Sequence, residues 1–338
     1  MKLTRKERMR RALMYEQLDR FPTQINYTAG MGQRMATYFN VPEETLPDFL
    51  GNHMVRVDLS YPGRFSGDGK VTFDWWGVGF DSQEEGYFAA VCPLLDSPDL
   101  DAYPWPDPND PALLSEAEQI VKAKGNTYFI APNFGFALFE RAWTLRGFEQ
   151  FFLDMATNAG YAHELLERIT EIQLALIQCY LDLGVDGGYF GDDYGAQKNL
   201  LFSPRMWREF IKPRLAKLFA PFRERSLPVL LHSDGQIQKI VPDLLEIGLT
   251  TLNPVQPEVL DHAWLQENFG GDLAFYGGVS TQTVLPYGSP EDVQEAVSGC
   301  VRALSTEGTG LLVAPSHRMM SDIPLANVAA MLEAFRTL

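Results

Sequence analysis

The chain contains 338 residues, carries a formal net charge of -16 at pH 7, and is 46% hydrophobic. This acidity argues against nucleic acid as a partner, because phosphate binding needs basic patches. No apolar run approaches the length of a membrane span, and the basic N-terminus lacks the apolar core of a secretory signal, so we expect a cytoplasmic protein. The three cysteines form no CxxC pair, which predicts reduced thiols and argues against zinc held by paired thiolates.

The chain begins with a predicted amphipathic helix and then alternates short apolar runs with helical segments. A capping box of Thr4 and Glu7 predicts the start of the first helix, which we expect to extend to Leu18. Eight short apolar runs predict buried parallel strands. They lie at 21–26, 54–59, 128–131, 187–190, 229–232, 250–253, 273–276 and 310–314.

The stretch 61–110 interrupts this alternation. Two β-rich segments, 71–76 and 87–91, are joined by polar residues and glycine, and they predict an inserted β-hairpin near the mouth of a barrel. The adjacent tryptophans Trp75 and Trp76 would either cover a bound substrate or pack the insertion.

Strands that alternate with helices predict an α/β fold with a parallel sheet, and eight such units in a chain of this length predict a (β/α)8 TIM barrel. We therefore expect one barrel domain over residues 1–338 with the insertion at 61–110. An open, doubly wound sheet is the alternative, but no GxGxxG motif follows a predicted strand.

Polar residues stand at the carboxyl ends of several predicted strands, where (β/α)8 barrels carry their chemistry. His232 and Asp234 would project together, because residues i and i+2 of a strand point to the same side. His317 follows the last strand. Two imidazoles and a carboxylate suit Zn²⁺, Fe²⁺ or a similar ion and leave a coordination position open. The alternative is that Asp234 caps the next helix and His317 bonds a loop.

Two adjacent carboxylates, Asp192 and Asp193, follow the predicted strand at 187–190. Neighbouring strand residues point to opposite sides, so one would cap or salt-bridge while the other faces the pocket as a catalytic carboxylate. We favour Asp192 for the pocket. The candidates for substrate binding are Asn26, Tyr27, Asn133, Tyr194 and Gln256, together with Trp75 and Trp76 from the insertion.

A series of motifs, in order along nearly the whole chain, resembles the uroporphyrinogen decarboxylase superfamily and, more closely, its branch of methylcobamide-dependent methyltransferases. The motifs are TRKER at 4–8, LRGFE at 145–149, GDDYGAQ at 191–197, SP at 203–204, HSDG at 232–235, LNPVQP at 252–257, YGGV at 276–279 and APSH at 314–317. The resemblance implies a (β/α)8 barrel with its site at the C-terminal mouth.

The methyltransferase branch implies a zinc site formed by an H-x-C pair after the fifth strand and a cysteine after the last. His232 matches the histidine, whereas Asp234 and His317 stand in the places of the two cysteines. A soft sulfur site would thus have become a harder nitrogen and oxygen site, so we do not expect activation of a thiol such as coenzyme M. The resemblance implies a divalent metal, with zinc as the first expectation, and a corrinoid supplied by a partner protein.

The leading expectation is therefore a metal-dependent methyl- or alkyltransferase that moves a methyl group between a small substrate and a partner's corrinoid. A tetrapyrrole decarboxylase is second. That branch also has a histidine and an Asp-Gly pair, which His317 and Asp234-Gly235 match. It has an arginine-rich run after its first strand as well, but here only Arg34 remains, and its position does not fit the run. A non-catalytic corrinoid- or substrate-binding barrel is the third alternative. The assembly state stays open, with a homodimer among the alternatives.

Overall fold

The computed structural model describes residues 2–83 and 88–338, and a curled sheet of seven parallel strands lies at its centre. Eleven strands occur in these ranges: β1 (Met54–Val57), β2 (Arg64–Phe65), β3 (Val71–Phe73), β4 (Gly79–Asp81), β5 (Ala89–Val91), β6 (Phe129–Phe134), β7 (Gly188–Gly191), β8 (Val229–His232), β9 (Thr251–Asn253), β10 (Ala274–Val279) and β11 (Leu311–Pro315). The parallel sheet has the order β1-β6-β7-β8-β9-β10-β11, so successive barrel strands are neighbours.

Helices precede, separate and follow the barrel strands. They are α1 (Arg5–Leu13), α2 (Ala29–Phe39), α3 (Leu46–Phe49), α4 (Ser115–Lys124), α5 (Phe139–Arg146), α6 (Phe148–Thr157), α7 (Ala159–Leu183), α8 (Pro204–Met206), α9 (Lys212–Glu224), α10 (Val241–Glu246), α11 (His262–Phe269), α12 (Val284–Tyr287), α13 (Pro290–Leu304) and α14 (Leu325–Arg336). The prediction that the first helix extends to Leu18 is wrong, because Tyr15 adopts a left-handed conformation with φ 57°. No helix in the described ranges combines the length and apolar character that crossing a membrane requires.

The first predicted strand, at 21–26, joins the two edges of the parallel sheet. Thr23 forms parallel bridges with Asn52, just before β1, and with Val313 of β11. The pairing is confined to single bridges. Pro22 has no N–H to donate to a neighbouring strand. The backbone N–H and carbonyl of Ile25 form hydrogen bonds with the side chain of Asn52 in place of its backbone. The architecture is therefore a TIM-like barrel with seven strands in the ladder and a bridging segment in the eighth position.

Inward-facing side chains fill the barrel from its N-terminal end. Met9 and Leu13 of α1 pack in one buried cluster with Met54, Phe129, Ala131, Tyr189, Leu230, Ala274, Tyr276, Leu312 and Ala314 of the strands. A separate and larger apolar cluster lies between the strands and the surrounding helices. Because α1 closes the bottom of the barrel, open space remains at the carboxyl ends of the strands.

The insertion contains four short antiparallel strands in the order β2-β3-β4-β5, so the predicted two-stranded hairpin is not confirmed. Strands β2 and β4 have two and three residues, which is too short for an alternating pattern to reveal them in the sequence. The predicted segment 87–91 is observed as the strand β5, while Tyr87 lies outside the described residues.

Candidate metal centre and cavity

A cavity of about 430 Å³ lies at the carboxyl ends of the barrel strands. We call it the central cavity. Among the residues that line it are Asn26, Arg56, Asn133, Asp193, His232 and His317. Its size and position are those of a small-molecule site in a barrel of this kind.

His232, Asp234 and His317 converge at the edge of the central cavity. One nitrogen or oxygen atom from each lies within 4.8 Å of the other two. Nε2 of His232 is 3.7 Å from one Asp234 carboxylate oxygen, and Nε2 of His317 is 3.7 Å from the other. Since nitrogen and oxygen ligands bind Zn²⁺ at about 2.0–2.2 Å, a small closure of these three side chains would complete a site. We call them the triad.

The loops that follow β7 and β8 hold Asp234 in place. Its backbone N–H donates a 2.8 Å hydrogen bond to the Asp193 carboxylate. Gly235 has φ 82°, and a Cβ at this position would lie 2.5 Å from the backbone of Gly195. Glycine is required here because the two loops touch through their backbones.

The orientation of His232 is set by Asn253 at the end of β9. Nδ1 of His232 lies 2.7 Å from the side-chain oxygen of Asn253. The same oxygen accepts a bond from the Tyr189 hydroxyl, and the Asn253 amide nitrogen donates to the Tyr276 carbonyl. Because a carboxamide oxygen only accepts, Nδ1 is the donor of this contact, and in the neutral imidazole Nε2 offers its lone pair to a metal ion.

Asp192 is fully buried and acts as a helix cap. Its two carboxylate oxygens accept the backbone N–H groups of Phe139 and Glu140, at the start of α5, and the Tyr194 hydroxyl. Burial raises the pKa of Asp192 to about 7. The expectation that Asp192 faces the pocket is thus corrected, because Asp193 lines the cavity instead. Tyr194 is itself fully buried beside Asp192.

Glu140 lines the central cavity next to Asp193 and was missed by the sequence analysis. It is the second residue of α5, and no strand-end pattern marks it. Burial, followed by the charge of Asp193, holds the pKa of Glu140 well above its usual range. Burial also raises the pKa of Asp193. Burial thus favours the protonated form of both carboxyl groups.

The remaining predicted substrate residues fall in different places. Asn26 and Asn133 line the central cavity, and their amide nitrogens donate to the Tyr276 hydroxyl and to the Asp58 carboxylate. Tyr27 is half-buried and packs against Gly32. The structure therefore brings Asn26 and Asn133, but not Tyr27, to the cavity wall.

The other three candidates line neighbouring cavities, and Trp75 and Trp76 also border a small one that shares Asn133 with the central cavity. Trp75 and Trp76 line one of about 440 Å³ in the insertion, where the Arg141 guanidinium stacks on Trp76. Gln256 lines another of about 250 Å³, which it shares with Asp234 and His317 of the triad.

Two arginines that the sequence analysis did not select also line the central cavity. The Arg56 guanidinium lies 4.9 Å from the centre of the Tyr189 ring. Arg318 directly follows His317 and borders both the central cavity and the smaller one beside it. Arg56 could have been found, because it is two residues from Met54 on β1 and so shares the inward face of that strand.

The protein is thus a TIM-like barrel with a candidate metal centre of two histidines and one carboxylate at the carboxyl ends of its strands. The model of the uroporphyrinogen decarboxylase (URO-D) family matches residues 71–338, and the chain therefore belongs to that family, as its motifs predicted.

Two relatives from Methanosarcina mazei are similar to this chain. A methylated-thiol--coenzyme M methyltransferase is 24% identical over 238 residues, which span 68% of this chain and 60% of that protein, less than two thirds of its length. The solved structure of a methyltransferase superimposes with a TM-score of 0.76 at 19% identity and covers 99% of both chains. This second likeness supports the TIM-like fold.

Proposed function

We propose that the protein is a metal-dependent methyltransferase that moves a methyl group between a small substrate and a corrinoid carried by a partner protein. The observation that carries this proposal is the convergence of His232, Asp234 and His317 at the wall of the central cavity. The methyltransferase names of the two relatives support the same reaction class.

The triad fits a divalent metal, and zinc is our first choice. Two imidazole nitrogens and one carboxylate are ligands that Zn²⁺ accepts, and three protein ligands leave a position for substrate. A divalent ion bound there would act as a Lewis acid on the substrate atom that carries the methyl group. The side chains of the triad are 20 to 39% exposed, so they are accessible from the cavity.

The chain's own residues would orient the substrate and provide an acid group for it. Asn26 and Asn133 place amide groups on the cavity wall, where they would orient the substrate. Glu140 lies at the same wall, and its raised pKa favours the protonated form. If the methyl group passed to the corrinoid as a cation, the substrate atom would keep the electron pair, and Glu140 would be placed to donate its proton to that atom. Asp193 anchors the loop that carries Asp234.

The charges of the central cavity favour methyl transfer over decarboxylation of a porphyrinogen. Even with Glu140 protonated, the carboxyl groups of Asp58, Asp74 and Asp193 leave no excess of positive charge beside the guanidinium groups of Arg56 and Arg318 among the described residues of its wall. A tetrapyrrole with many carboxylates would need more cations than anions around it.

The test is a methyl-transfer assay with cob(I)alamin and a panel of methyl ethers, methyl thioethers and methylamines, followed through the absorbance of the corrinoid. We expect transfer from at least one class by the metal-loaded protein. We expect a loss of at least about 100-fold after metal removal or in His317→Ala, because the Lewis acid is lost. His163→Ala, which alters a histidine stacked on Phe210 outside the triad, is the matched control. Full activity of the metal-free protein would contradict the proposal.

A further inference from the structure

A second, smaller cavity of about 250 Å³ lies beside the triad. Asp234 and His317 of the triad line it, and Ser316, His317 and Arg318 belong to its wall as well as to that of the central cavity. We call it the side cavity. The triad therefore has space on two sides, and a substrate in the central cavity would leave the side cavity free.

Gln256 is a wall residue of the side cavity with an unpartnered hydrogen-bond donor. Its side chain lines the cavity and is 5% exposed. The amide nitrogen is buried, and it has no hydrogen-bond partner among the residues that the structure describes. A buried polar group without a partner costs free energy, so such a group points to an absent ligand.

The other groups around the side cavity favour an uncharged polar ligand. Thr281 and Ser316 have hydroxyls 3.2 Å apart, and Gln282 adds a second carboxamide. Apart from the triad, whose carboxylate would be bound to the metal, the side cavity carries one carboxylate, that of Asp322, and one guanidinium, that of Arg318. These two charges balance, and a primary amide both donates and accepts hydrogen bonds without adding charge.

We propose that the side cavity binds a primary amide side chain from the rim of the corrin ring, with Gln256 as its donor. The corrinoid itself comes from the proposed function, on which this inference rests. A corrin ring carries several acetamide and propionamide arms, and one arm held beside the triad would fix the ring's position over the mouth. Gln256 is a positioning residue in this account, and it takes no part in the chemical step.

The experiment measures binding of free cobinamide, whose corrin ring has primary amide arms, by calorimetry and by its absorbance change. We expect Gln256→Leu to bind cobinamide about tenfold more weakly than the native protein, as the loss of one buried hydrogen bond predicts. Gln178→Leu, which changes an exposed glutamine on α7, should bind as the native protein does. Cobyrinic acid, with carboxylates in place of the amides, should bind more weakly than cobinamide to the native protein.

Metal content separates this inference from the proposed function. Gln256→Leu should keep its bound metal, because Gln256 is not part of the triad. Equal cobinamide binding by native protein and Gln256→Leu, or a preference for cobyrinic acid, would overturn the amide site while leaving metal-dependent methyl transfer standing. Absence of cobinamide binding to the native protein would also overturn it. If the metal-loaded native protein transferred no methyl group in the assay above, the proposed function would be refuted instead.

Discussion

The side-chain oxygen of Asn253 lies 2.7 Å from Nδ1 of His232, and this contact directs Nε2 of the imidazole toward Asp234. Asn253→Ala removes the acceptor and frees the ring to rotate and change tautomer. We expect its metal affinity to fall about 10- to 100-fold, as is typical when the partner of a ligating histidine is lost. Competition with a chelator measures the affinity.

Asn253→Asp is the matched variant for this prediction. It keeps an oxygen that accepts the Nδ1 proton, so its metal affinity should stay close to that of the native protein. It replaces the amide bond to the Tyr276 carbonyl by a contact between two acceptor oxygens and adds a negative charge, so its stability should fall. Equal affinities for native protein and Asn253→Ala would show that the contact does not orient His232.

Replacing Asp192 tests whether its buried carboxyl group caps a helix or takes part in catalysis. Asp192→Ala removes the acceptor of two α5 backbone N–H groups and of the Tyr194 hydroxyl. We expect the free energy of unfolding to drop by about 2–4 kcal/mol, the sum of a lost cap and an unsatisfied buried hydroxyl. Denaturant unfolding measures the loss. The folded variant should still bind metal, and loss of metal at unchanged stability would contradict the capping role.

His53 should make the fold sensitive to acid. It is fully buried, contacts Arg8 and the backbone of Thr23, and its burial lowers its pKa to about 3. In the unfolded chain a histidine has a pKa of about 6.5. Between about pH 6.5 and 3, His53 is therefore protonated in the unfolded state but not in the folded state. The free energy of unfolding should therefore fall by about 1.4 kcal/mol per pH unit from this group as the pH drops through that range.

His53→Gln removes this dependence. Unfolding measured by denaturant at several pH values should show a shallower slope for the variant than for the native protein. His262→Gln should also make the slope shallower, because burial lowers the pKa of His262 as well, while the contact between His53 and Arg8 stays intact in that variant. An unchanged slope in His53→Gln would contradict the account.

The strand pattern located most of the barrel and the triad. His232 and Asp234 could be paired from sequence by the two-residue repeat of a strand, although β8 itself ends at His232. His317 could be added because it follows another strand of the same parallel sheet. The same rule could not decide between Asp192 and Asp193. Alternation says that they face opposite sides, and only the position of α5 shows which carboxylate the helix N-terminus captures.

Cavity residues that do not lie at the end of a strand could not be placed from the sequence. Glu140 reaches the cavity from the start of a helix, and its position depends on the capping of α5 by Asp192. Gln256 was expected at the substrate, yet it lies at the side cavity because the turn after β9 diverts the chain. The insertion was missed in part because strands of two or three residues carry no usable periodicity.

The central claim is that the triad binds a divalent metal, and the most direct measurement is elemental analysis of the purified, unchelated protein. We expect about one divalent ion per chain in the native protein. We expect its loss in His232→Ala, Asp234→Ala and His317→Ala, with circular dichroism showing that each variant is folded, and its retention in His163→Ala. A native protein that holds no metal after reconstitution with zinc, or a folded His232→Ala protein that keeps it, would contradict the account.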